Sequence, residues 1–136
     1  MIQRIQTIWL LLASACTFLS LKLPFYSGTN KEGVVSHPLI GTENYTLMLL
    51  TIAIGVLPLI IIFLFKNRRL QIRLCVLGIL MEIGLMFLYY KEVSTYTAGT
   101  YSLSAVLQGC IIFFFFFALR GISKDAKIIR DSNRLR

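Results

Sequence analysis

Glu82 is the residue whose type and setting most invite chemistry. It lies between Met81 and Ile83, inside a long apolar run. An ionised carboxylate is costly there, and such acids usually face a protein interior or a cavity and mark proton or cation sites. At 1.5 Å per helical residue, Glu82 sits roughly 12 Å below Tyr90. The same measure puts Gln108 roughly 10 Å below Tyr101, Thr51 roughly 9 Å below Tyr45 and Ser14 roughly 12 Å below Lys22. If these groups face one another they form a polar layer, with Gln108 hydrogen-bonded to a neutral Glu82 and hydroxyls nearby. The stripe Cys75, Gly78, Glu82 and Tyr89 gathers small and polar residues on one helical face, which is expected to meet protein rather than lipid.

Two readings of Glu82 follow. One is a proton-coupled or cation-binding site. The other is an interhelical hydrogen bond that fixes packing, or a contact to another membrane subunit. The second carries more weight for a lone acid in a short chain.

Other reactive groups are sparse. Cys16, Cys75 and Cys110 are far apart, none forms a CxxC pair, and the single histidine, His37, lies in a polar stretch. Zinc binding and disulfide exchange need closer spacings, so the cysteines read as packing residues. No catalytic constellation is recognisable in the sequence. No catalytic residue, metal site or cofactor is therefore expected, and the chain reads as a non-enzyme. Pro58 aligns with Thr51 and Gly55 at helical spacing; a kink there would free a carbonyl, although packing alone accounts for it. Ala105 and Gly109 form a small-xxx-small pair for close helix approach.

The elements that must position these groups follow from hydropathy. Of 136 residues, 57% are hydrophobic and only 15% charged, and the mean hydropathy is +0.75. A soluble domain of this length carries more charge, so the excess apolar surface must face lipid. The runs are unbroken and lack the alternation of barrel strands, and a helix satisfies its own backbone in lipid. Four runs reach or approach the roughly 20 residues needed to cross a bilayer: 5–23, 45–65, 70–90 and 103–119. The expected fold is an all-α membrane protein, an antiparallel four-helix bundle over 1–119, followed by a basic tail over 120–136. Only Lys66-Asn67-Arg68-Arg69 separates the second and third runs, which makes those two helices antiparallel neighbours.

The positive charges set the expected orientation. With the N-terminus inside, the inner segments hold Arg4, then Lys66, Arg68, Arg69 and Arg73, then Arg120, Lys124, Lys127, Arg130, Arg134 and Arg136. The outer segments hold only Lys22, Lys31 and Lys91, balanced by Glu32, Glu43 and Glu92. Eleven against three places both termini in the cytoplasm by the positive-inside rule. Ala13-Ser14-Ala15-Cys16 resembles a lipoprotein cleavage site, but the apolar run continues past Cys16, so the first run is expected to stay as a span. The outer loop 24–44 carries turn signals at Ser27-Gly28-Thr29-Asn30 and Glu32-Gly33, and Val34-Val35 is the expected site of any short strand. Asn44-Tyr45-Thr46 matches a glycosylation sequon, a pattern frequent by chance. Tyr26, Tyr45, Tyr89, Tyr90, Tyr96 and Tyr101 fall near the outer boundary as an aromatic belt. Trp9, one turn inside the inner boundary, does not fit that belt.

The net charge of +8 is therefore concentrated on one side, which argues for a membrane surface and against DNA. The tail has sparse apolar residues, Ile122, Ala126, Ile129 and Leu135, and Lys127 and Asp131 are spaced for a helical ion pair. It reads as a topology anchor, as a helix on anionic lipid head groups, or as a docking segment for a ribosome or an acidic protein.

The opening Met1-Ile2-Gln3-Arg4-Ile5-Gln6-Thr7 and the close Ala118-Leu119-Arg120-Gly121-Ile122-Ser123-Lys124-Asp125, continuing through Lys127 and Arg130 to Arg134-Leu135-Arg136, carry a resemblance. The chain resembles a family of small four-helix inner-membrane proteins from Bacteroidota, catalogued as a domain of unknown function. The middle matches mostly by hydropathy, and Ala126 and Asn133 stand where acidic residues are expected. The resemblance implies a bacterial inner membrane and gives no residue a catalytic role. The resulting expectation is an accessory subunit of a larger inner-membrane assembly, with protein export or insertion machinery as a host. The alternative is a small proton-coupled transporter that uses Glu82.

Overall fold

Long apolar stretches without alternation leave the backbone no partner but itself, and helices result. The computed structural model describes residues 2–30, 33 and 37–134. In chain order they form α1 (Ile2–Ser20), β1 (Pro24–Asn30), β2 (His37–Ile40), α2 (Tyr45–Phe63), α3 (Arg68–Val93), β3 (Tyr96–Tyr101) and α4 (Leu103–Arg134). Three helices, α2, α3 and α4, are long and apolar enough to cross a membrane, whereas the apolar stretch of α1, Ile5–Ser20, is shorter. Helix α1 ends at Ser20, before the end of its apolar run, and the hydroxyls of Thr17 and Ser20 donate back to the Ala13 and Thr17 carbonyls at 2.7 Å. Pro24 then opens a strand, one of the few sheet positions that tolerates it.

The sheet corrects the all-α expectation. It is antiparallel with order β2-β1-β3; β1 pairs with β2 from Pro24↔Ile40 to Gly28↔His37 and with β3 from Tyr26↔Tyr101 to Asn30↔Tyr96. The strands that form lie on either side of Val34-Val35, which itself falls outside the described residues. Tyrosine and threonine at both ends of β3 suit a pleated surface. Gly28 faces Gly99 across the ladder, and a Cβ at either position would run into partner backbone. Ser102 N–H donates to Phe25 O at 2.9 Å and the Ser104 hydroxyl donates to Pro24 O, which fastens the start of α4 to β1.

Each helix packs against two others: α1 against α2 and α4, α3 against α2 and α4. Arg68 meets Asp125 and Gly78 lies against Phe115. A step of ten residues up α3 is thus a step of ten back along α4, so these helices run antiparallel. The interior is built from Leu10, Ala13, Ile54, Ile61, Cys75, Leu85, Ile111, Phe115, Ala118 and Ile122. The outward faces stay apolar, as Leu80, Phe87, Val106 and Phe113 are all more than half exposed, the surface expected of helices bathed in lipid.

The basic tail expected over 120–136 begins inside this packing. Helix α4 runs unbroken for 32 residues, and Ile122 and Asp125 are buried. Spacings of three and four residues from Ala118 bring both onto the interior face.

Candidate functional site

All four expected polar-layer residues are buried: Ser14, Thr51, Glu82 and Gln108. Among the described residues no hydrogen bond joins any two of them. The Ser14 hydroxyl donates to Gly55 O at 2.9 Å and so ties α1 to α2. Gly55 is the residue after Ile54, whose carbonyl lacks its usual helical donor because Pro58 has no N–H. The Thr51 hydroxyl donates to Leu47 O at 2.7 Å and is hydrogen-bonded with Tyr89. Tyr89 follows the interior stripe of α3 together with Cys75, Gly78 and Glu82.

The expected hydrogen bond between Gln108 and Glu82 is not formed. Among the described residues both carboxyl oxygens of Glu82, and Oε1 of Gln108, have no hydrogen-bond partner. The α3–α4 register sets the two residues at different levels. Extending the Arg68–Asp125 and Gly78–Phe115 contacts brings Glu82 level with Ile111 and Gln108 level with Leu85, an offset of about 4.5 Å along the axis. The result is three buried oxygens without hydrogen-bond partners among the described residues.

Toward the sheet, aromatic rings close the interior above Glu82. Phe25 and Tyr89 stack at 4.3 Å between centroids, and a Cβ at Gly41 would come within 2.6 Å of the Tyr89 hydroxyl. Of the expected tyrosine belt, Tyr45, Tyr90 and Tyr101 are exposed, while Tyr26 and Tyr89 are buried in the closure. Trp9 is explained by its neighbours, stacking on Phe114 at 5.8 Å and Phe117 at 5.2 Å.

A second polar cluster, at the basic end, was not foreseen. Gln6 Nε2 donates to Asp125 Oδ2 at 2.6 Å, and Arg68 Nη1 meets the same oxygen at 3.0 Å. Gln71 Nε2 donates to Ile61 O at 2.8 Å, a carbonyl in the last turn of α2 that also accepts from Leu64 N–H at 3.2 Å. Gln6, Thr7, Arg68 and Gln71 line a cavity of about 100 Å³ beside this cluster. The legible signal was Asp125 itself, an acid among basic residues and one helical turn beyond Gly121.

Between the α2–α3 turn and α4 lies an open groove of about 880 Å³. Six of the expected basic residues line it: Lys66, Arg68, Arg69, Arg73, Lys127 and Arg130. Arg120 and Lys124 are exposed on α4 outside the groove. The side chain of Arg134 and all of Arg136 lie outside the described residues, as does the side chain of Arg4. Lys127 and Asp131 form no ion pair among the described residues, consistent with how little an exposed helical pair gains over solvation. Among the described residues, no three His, Cys, Asp or Glu side chains gather as a metal site, and the three cysteines are free.

The chain belongs to the family described as a domain of unknown function, DUF4293, whose profile matches residues 2–135. No curated protein and no solved structure matches it.

Proposed function

We propose that the chain is a non-enzymatic accessory subunit of a larger bacterial inner-membrane assembly, spanning the bilayer four times with both termini in the cytoplasm. The three long apolar helices support the spans. The apolar stretch of α1, Ile5–Ser20, reaches about 24 Å, which crosses a hydrocarbon core of about 30 Å only with local thinning of the bilayer. The eleven-to-three distribution of Lys and Arg supports the orientation.

The observation that carries the subunit reading is α4. At 32 residues it measures about 48 Å, well beyond a hydrocarbon core of about 30 Å. Its continuation is pinned through Asp125 to Gln6 and Arg68. Arg120, Lys124, Lys127 and Arg130 are thereby displayed on a stiff arm, a form suited to docking an acidic surface. Protein-export or insertion machinery is the proposed host, because a ribosome meets such machinery at a basic face. Extraction in mild detergent followed by native mass measurement tests the reading. Co-purification of a stoichiometric membrane partner is the expected result, and a chain found only as a monomer with no partner would count against it.

A second reading, a small proton-coupled transporter, is favoured by one observation: Glu82 and Gln108 hold three buried oxygens without partners. In reconstituted vesicles this reading requires a proton-coupled flux that Glu82→Gln abolishes.

A further inference from the structure

The groove at the basic end combines two chemistries that seldom share a surface. One is cationic: Lys66, Arg69 and Arg73 on the wall formed by the α2–α3 turn and α3, with Lys127 and Arg130 on the α4 wall. Among the described residues none of these five has an ion-pair or hydrogen-bond partner, Arg68 alone being tied to Asp125. Among the described residues no acidic side chain lines the groove. The other chemistry is aliphatic, since Leu70, Ile72, Ala126 and Ile129 lie between the charges.

The level of the groove matters as much as its lining. Phe63 and Phe65 are exposed just before Lys66, so apolar surface gives way to basic surface within a few residues. On the proposed topology this is where the hydrocarbon of the inner leaflet gives way to its phosphates. Basic pockets between helices at that level recognise phospholipid head groups. Among the described residues the lining includes no aromatic side chain, so the groove itself offers the bases of a single-stranded nucleic acid no ring to stack on.

We propose that the groove binds one anionic phospholipid carrying two phosphates, one phosphate on each wall, with its glycerol and upper acyl carbons on Leu70, Ile72 and Ile129. Two cationic walls facing each other need two anions to neutralise both. A lipid with a single phosphate reaches one wall and leaves the other uncompensated. The inference uses the membrane orientation proposed above but not the subunit role, because it concerns the isolated chain.

The test is native mass measurement of the full-length protein in mild detergent, titrated separately with cardiolipin and with phosphatidylglycerol. One cardiolipin per chain, held more tightly than phosphatidylglycerol, is expected. Arg69→Gln with Lys127→Gln removes one cation from each wall; both side chains are exposed, so the fold survives. At the usual gain per basic residue near anionic lipid, that pair weakens cardiolipin by about thirtyfold. Arg120→Gln with Lys124→Gln removes the same charge outside the groove and leaves the affinity unchanged. Equal losses from the two pairs would reduce the effect to bulk charge and overturn the proposal. So would equal affinity for the two lipids, or a poly-uridine RNA that binds the groove and is not displaced by cardiolipin. Lipid retention by a chain that co-purifies with no protein partner would leave this inference standing while the subunit reading falls.

Discussion

The side-chain amide of Gln6 donates to the carboxylate of Asp125 over 2.6 Å, across 119 residues of sequence. Arg68 approaches the same oxygen at 3.0 Å, so α1, α3 and α4 are joined at a single atom. A shared acceptor makes these interactions interdependent. Each donor holds the carboxylate for the other, and the carboxylate holds both.

Removing the shared group should therefore cost more than removing either donor. Asp125→Ala leaves a half-buried guanidinium and a buried amide without their acceptor, for a loss of about 2 to 3 kcal/mol. Gln6→Ala and Arg68→Gln should each cost less, and together they should miss additivity by about 0.5 kcal/mol or more, as for neighbours in one network. Thermal unfolding in detergent of the two single variants and the double variant measures the coupling. Strict additivity would show that the two donors act separately.

Gly121 makes the Gln6 contact sterically feasible. A Cβ there would lie 2.7 Å from Gln6 Cγ, near the root of the side chain, where rotation gives little relief. Gly121→Ala should destabilise by about 1 to 3 kcal/mol, the range for overpacking. Gln6→Ala removes the obstructing atoms, so the double variant should be less destabilised than the sum of the two single changes. The same unfolding measurement reads this, and a double variant at or beyond that sum would contradict the steric account.

The helices were legible because their signal is local: an apolar run announces itself, and the spacing of Cys75, Gly78, Glu82 and Tyr89 placed the interior face of α3 correctly. The sheet was not, because β1 and β3 lie about seventy residues apart and neither strand has a hydrophobic alternation. Only the pairing of Gly28 with Gly99 gives those glycines a purpose. The link between Glu82 and Gln108 was misread for a related reason. Depth along each helix is readable from one sequence, but the register between two helices is set by contacts such as Gly78 on Phe115. Asp125 was hidden by its setting, since the basic residues around it read as a tail beyond the bundle although Ala118, Ile122 and Asp125 share the interior face.

Gly99 offers a test of the sheet. Its substitution by Val sets a branched side chain against the backbone of Ser27 and Gly28, which blocks the central pairing while leaving the helices intact. Protection of the β1 and β3 amides from hydrogen exchange should fall, with little change in helical circular dichroism. Unchanged protection would show that the strands pair without this close approach.

Tyr96, in β3, should titrate above the ordinary tyrosine range. Burial is the larger cause, and the nearby carboxylates of Glu43 and Glu92 add to it. A raised value favours the neutral phenol in the folded state, so its contribution is fully present below the unfolded value and is lost as pH rises through the folded one. Glu43→Gln with Glu92→Gln should lower the transition only partly, because burial remains. Ultraviolet titration of the protein against its Tyr96→Phe variant isolates this phenol, and a transition at or below the ordinary value would refute the placement.

Glu82→Gln separates what the interior acid does from what it costs. Neither carboxyl oxygen has a hydrogen-bond partner among the described residues, so the amide forfeits no bond. It also removes a group whose ionisation is expensive in a low-dielectric interior. Size and shape are nearly conserved, so Ile111 and Leu85 need not repack. Thermal stability in detergent should be equal to or above that of the parent protein across the pH range. Glu82→Ala, by contrast, should lose about 1 to 3 kcal/mol through the cavity it leaves. A marked loss on Glu82→Gln would mean that the carboxylate is held by a partner, such as another subunit, that an amide cannot replace. Parent-like stability combined with abolished proton flux in vesicles would instead favour the transporter reading over the subunit reading.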